Sequence, residues 1–117
     1  MNAQANPGIT FEAAQNGYHA NATARRDARE KLEAALTEKA HAEHARAKGL
    51  ALAFAKYRGQ GKPVAEAEIL AKADAADKTL DRDLADAKAK AAQARLAELE
   101  GERASLRQLV DWTREES

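Results

Sequence analysis

Alanine fills 31 of the 117 positions, gathered with Leu, Glu, Lys, Arg and Asp into two long stretches. One breaker separates them, Arg58-Gly59-Gln60-Gly61-Lys62-Pro63. Alanine has the highest intrinsic helix propensity and adds almost no bulk between packed helices. The resulting fold class is all-α: a long antiparallel helical hairpin, coiled-coil-like. Arm one covers residues 10–57, the turn 58–63 and arm two 64–116. Residues 1–9 read as a flexible tail, broken at Pro7-Gly8.

The length suits one small domain, and its core is thin. There are eleven Leu, two Ile, two Val, one Met, two Phe, two Tyr and one Trp. Hydrophobic stabilisation scales with buried apolar area, at roughly 25 cal/mol per Å², and alanine supplies little of it. A two-helix hairpin is a single layer that leaves half of each helix wet. Association of copies, as a homodimer forming a four-helix bundle or as a higher oligomer, is the expected remedy.

Thr10 can cap the first helix, and Glu12 complements its N-terminal dipole. Asn16-Gly17 and Asn21 weaken the next turns, so the helix starts either at Thr10 with a kink or firmly only near Thr23. From Arg25 to Tyr57 the helical pattern is strong. Leu32, Leu36, Ala40, Glu43, Ala47, Leu50, Phe54 and Tyr57 fall on one stripe, with Glu43 as a polar intruder. Gly59 and Gly61 supply the turn, and Pro63 suits the first turn of the next helix.

In arm two, Asp74-Ala75-Ala76-Asp77 is a soft spot, because aspartate favours helix starts over interiors. A break there gives three helices and a more compact bundle, the alternative architecture. Leu80, Leu84, Ala87, Ala91, Leu99, Leu106 and Leu109 continue a stripe of period near 3.6. It drifts around Arg95 and Leu96, and a strict heptad is not expected. With the turn centred near Gly61, Tyr57 falls opposite Ala65, Phe54 opposite Glu68 and Ile69, and Phe11 opposite Trp112. Arms of about 50 residues would each run roughly 75 Å at 1.5 Å per residue. No repeat of solenoid length is visible.

Lysine plus arginine and aspartate plus glutamate number 19 each, so nothing draws the chain to nucleic acid or an anionic membrane. There is no cysteine, hence no disulfide or thiolate site. No apolar run approaches a membrane span. Met1 to Pro7 has no basic n-region and no apolar h-region. A soluble cytoplasmic protein is the expectation.

Four candidate sites stand beside plainer readings. His41 and His44, with Glu43 between them and Glu38 a turn back, have spacing for a shared metal. Two ligands without a third on the partner arm read better as a polar face, and no metal or cofactor is expected. Arg25, Arg26 and Arg29, with Lys31, form a basic cluster that could touch phosphates. Asp27, Glu30 and Glu33 cancel much of its field, and nucleic acid is not the favoured partner. Leu109 and Trp112, with Val110, form the most apolar patch. It is either a partner anchor or an end-cap on Phe11 or Tyr18, the latter preferred. Phe54 and Tyr57 at the hairpin tip have the same two readings. Catalysis needs a positioned base, nucleophile or metal, and the carboxylates are spread as surface charges instead. Gly59-Gln60-Gly61-Lys62 is too short for a phosphate-binding loop. A non-enzymatic protein is expected.

The second arm carries Val64-Ala65-Glu66-Ala67-Glu68, then Ala94-Arg95, then Leu106-Arg107 followed by Trp112. Over residues 64–114 it resembles small alanine-rich helical accessory proteins of bacteriophages and prophages. The resemblance implies an accessory factor, in some cases associated with phage recombination or replication, located in the host cytoplasm or the virion. It brings no catalytic residues. The expectation for function is therefore a helical interaction protein, in its most concrete form a phage accessory factor binding a protein partner. The alternatives are a virion assembly or scaffold-like protein and a nucleic-acid accessory protein using the Arg25–Lys31 cluster.

Overall fold

The structure, a computed structural model, describes residues 9–116. Three helices account for nearly all of them: α1 Phe11–Gly59, α2 Val64–Asp74 and α3 Ala76–Glu116. The chain is all-α as expected, with no strand among the described residues. The expected tail lies outside those residues except for Ile9, which precedes α1.

Arm one is a single helix from Phe11, so the later start near Thr23 does not occur. The Thr10 hydroxyl accepts the Ala13 N–H at 3.0 Å, the N-cap bond its residue type allows. At the other end the Lys62 N–H reaches the Tyr57 carbonyl at 3.1 Å, and the Gly61 N–H reaches that of Arg58 at 3.0 Å. This paired closure needs a left-handed residue just past the helix, and Gly61 supplies it with φ +83°. Pro63 is the N-cap residue of α2 rather than a member of its first turn, and its carbonyl accepts the Ala67 N–H at 2.8 Å.

The second arm breaks at Ala75, one residue past Asp74, so the chain has the three helices of the alternative reading, without a more compact bundle being shown. The interruption is slight. Ala75 still donates to the Ala71 carbonyl at 3.0 Å, and Thr79 donates to that of Ala75 at 2.9 Å. Asp74 has another attachment: its carboxylate accepts the Tyr57 hydroxyl at 2.7 Å. Tyr57 therefore reaches the end of α2 with its hydroxyl.

By spatial clustering the chain divides into two compact units. One combines the described residues up to Lys31 with those from Gln93 onward; the other is Leu32–Ala92. In the first, α1 and α3 run antiparallel, shown by contacts of Tyr18 with Arg103 and Asn21 with Leu99. In the second they do so again, through Arg46 with Thr79 and Lys39 with Asp86.

The buried seam agrees with the expected stripes in part: Leu99 is buried, and Leu32, Leu50, Phe54, Tyr57, Leu106 and Leu109 are half-buried. In the first unit Ala14, Asn21 and Ala28 of α1 are buried at seven-residue spacing, with Leu99, half-buried Leu106 and Thr113 of α3 at the same spacing and Val110 beside them. In the Leu32–Ala92 unit Ala35 of α1 is buried, with half-buried Ala42 and Gly49 at seven-residue spacing, as are Ala85 and Ala89 of α3, with Ala92 half-buried. This is a heptad pattern after all, carried mainly by small residues. Leu36, Ala40, Glu43 and Ala47 of the expected α1 stripe are exposed, as are Leu80, Leu84, Ala87 and Ala91 of the expected α3 stripe. Alanine lets backbones approach closely, and the larger aliphatics are left to the flanks. At Gly49 the Lys78 side chain lies over the backbone, and a Cβ there would meet its Cδ at 2.7 Å. In α2, Ala67 and Ala71 are buried one turn apart, and Ala75 continues their line into the break.

Candidate interaction surface

Where small residues make the seam, large apolar side chains are left outside it. In the Leu32–Ala92 unit, Leu36, Leu52, Val64, Ile69, Leu80 and Leu84 are all exposed. Leu80 and Leu84 are one turn apart on α3, 57% and 60% exposed. Leu84 lies in a shallow groove of about 270 Å³ with Glu38, Ala42, Asp81, Ala85 and Lys88. Lys88 bonds Glu38 across this groove at 3.0 Å.

A charged cluster borders the same region. Asp86 is bridged by Lys39 of α1 and by Lys90 of its own helix, each at 3.0 Å. Hydrogen bonds from Lys90 and then Lys39 hold its carboxyl below the usual range, and the bond to Asp86 raises Lys39. These groups act as ion-pair partners.

In the other unit the seam contains a polar layer that the residue pattern did not suggest. Asn21 Nδ2 donates to the Leu99 carbonyl at 3.1 Å, and Arg25 Nε donates to Asn21 Oδ1 at 2.8 Å. Arg25 is 8% exposed. It is therefore not open to phosphates, and the expected basic cluster is dispersed: Arg26 is exposed, and Arg29 points to Glu100 at 4.0 Å. A helix rotates successive side chains by about 100°, so arginines adjacent in sequence need not share a face. A different basic group forms around Tyr18. Arg103 Nε donates to its hydroxyl at 3.5 Å, and the charges of Arg103, Arg107 and Arg25 lower its pKa, with the Arg103 hydrogen bond the largest cause.

The apolar candidates divide. Trp112 is 38% exposed, Leu109 half-buried and Val110 buried. The Arg114 guanidinium lies over the Phe11 ring, 5.7 Å from its centroid. Phe54 is half-buried. Tyr57 is held within the chain by Asp74 and by Lys56 Nζ, 4.9 Å over its ring. His41 and His44 are both exposed, and among the described residues no three His, Cys, Asp or Glu side chains converge as a metal site.

Sequence reasoning missed the Asn21–Arg25 pair and misplaced Leu80 and Leu84 in the core. A signal existed for the first: Asn21 stands seven residues from both Ala14 and Ala28. No protein family, curated protein or solved structure matches the chain. Among the described residues no helix is long and apolar enough to cross a membrane.

Proposed function

We propose that this chain is a non-enzymatic helical interaction protein that self-associates and offers its outer helix faces to a protein partner. The observation that carries this reading is the inversion of the apolar residues. Alanines fill the intramolecular seam, while Leu36, Leu52, Ile69, Leu80 and Leu84 stay outside. Aliphatic side chains repeated along an exposed helix gain stability only when something covers them. A second copy is the simplest cover, and Trp112 is a further anchor of the kind enriched in binding hot spots.

A phage accessory factor is the specific form of this proposal that the second-arm resemblance adds. A virion assembly or scaffold-like component is the alternative, distinguished by assembly into rings or larger oligomers. Sedimentation of the full chain over a wide concentration range tests the common premise. A mass rising from one chain to a defined small oligomer supports the accessory reading, and a large ring supports the assembly reading. A single chain at every concentration removes self-association.

A further inference from the structure

We infer that the outer face of α3, centred between Leu84 and Ala87, is a two-fold interface on which a second copy of this chain lies antiparallel. This rests on the self-association proposed above and specifies its surface. All of the residues involved belong to the Leu32–Ala92 unit.

Leu80, Leu84, Ala87 and Ala91 recur at helical spacing and form one stripe. All four are exposed, whereas Ala85 and Ala89 of the same helix are buried in the seam against α1. The stripe has two leucines at its N-terminal end and two alanines at its C-terminal end. An antiparallel copy centred on it sets Leu84 against the partner's Ala87 and Leu80 against the partner's Ala91. Large then meets small throughout, which is how facing helices interdigitate without voids or overlap.

The charges beside the stripe have the same centre. Asp81 and Lys88, seven residues apart, border one side; Asp83 and Lys90, also seven apart, border the other. In an antiparallel pair each flank faces the same flank of its partner. Asp81 then meets the partner's Lys88, and Asp83 meets the partner's Lys90, with both contacts repeated by symmetry. The midpoints of the two charge pairs fall within one residue of the midpoint of the apolar stripe. A parallel copy would instead set each flank against the opposite one, bringing Asp81 near the partner's Asp83 and Lys88 near the partner's Lys90, which costs stability. Within one chain Lys88 pairs with Glu38, Asp83 with Arg82 and Lys90 with Asp86. Lys88–Glu38 is an exposed pair and the other two each join an exposed group to a half-buried one, and near-surface pairs of this kind contribute little.

The chain has no cysteine, so introduced thiols report without background. Two single variants, Leu80→Cys and Ala91→Cys, are mixed and treated with a short bis-maleimide. The expected product is a crosslinked mixed dimer, while Leu80→Cys alone gives none, its two thiols being about 16 Å apart along the axis. In sedimentation, Leu84→Glu is expected to weaken the dimer by at least about tenfold. Asp81→Lys with Asp83→Lys weakens it too, and adding Lys88→Asp with Lys90→Asp restores it. Circular dichroism confirms that these surface variants keep their helices. A dimer that survives Leu84→Glu, or a Leu80→Cys chain that crosslinks to itself, overturns this interface and leaves self-association standing. A chain that stays single at all concentrations overturns both.

Discussion

Asn21 and Arg25 are polar groups in a seam made mostly of alanine, and they define where α1 meets α3 in their unit. Asn21 spends its amide on the Leu99 carbonyl and its oxygen on Arg25. Asn21→Ala is expected to cost about 1–3 kcal/mol in denaturant unfolding, because it also strands the Arg25 donor. Replacing both, Asn21→Leu with Arg25→Met, should recover much of that loss, since apolar groups of similar volume often substitute for a buried polar set. The two tyrosines are expected to ionise in a fixed order. Arg103 lowers Tyr18 from its ordinary value of 10.0, whereas the hydrogen bond to Asp74 raises Tyr57 above it. Ultraviolet difference titration should show two steps, and Tyr57→Phe should remove the later one. Because the folded value of Tyr57 is raised, its contribution is complete below pH 10 and disappears as pH rises through that value. Asp86 has the opposite sign. Its folded pKa lies below 3.8, so its contribution is present above that pH and is lost on acidification through the folded value. Asp86→Asn should flatten this part of the acid unfolding curve.

At the scale of the helices, the ends follow local chemistry and the faces do not. Thr10 and Gly61 close α1 as their residue types allow. Gly61→Ala places a side chain at φ +83° and is expected to cost about 1–2 kcal/mol. The faces are decided by packing. Ala35 is buried at 2% exposure, and the adjacent Leu36 is 49% exposed. Ala35→Leu adds apolar area yet should destabilise by about 1–3 kcal/mol through overpacking. Leu36→Ala, at a site outside the seam, should stay within about 0.5 kcal/mol. Thermal or denaturant unfolding of this pair tests whether small residues make the seam. Equal losses at both sites would show that leucine is part of it.

At the scale of the whole molecule, stability and association are linked. If copies pair through exposed leucines, the folded state gains by mass action, and the melting temperature rises with protein concentration. Leu84→Glu should remove that dependence while leaving the melting temperature at high dilution nearly unchanged. An unaltered dependence would direct attention to other exposed aliphatics, such as Leu52 and Ile69.

Local preference was legible in the sequence alone. Alanine and alternating charge made the chain helical and Gly61 ended the first helix, while its start stayed open between Thr10 and Thr23 until the Thr10 cap bond decided it. Asp74 marked the place beside which the second arm divides. These are effects of propensity, capping and backbone freedom, which act within a few residues. The antiparallel course was legible as well, since a short breaker between two similar arms permits little else. Only the tertiary structure decided which face of each helix is buried. Leucine and alanine are both apolar and both suit helices, so a periodic stripe of either reads as a core. The choice turned on how closely two backbones approach, and close approach favours the smaller residue. It put Ala28, Ala35 and Ala85 inside, turned Leu80 and Leu84 outward, and drew Arg25 from an apparent basic surface into the seam beside Asn21.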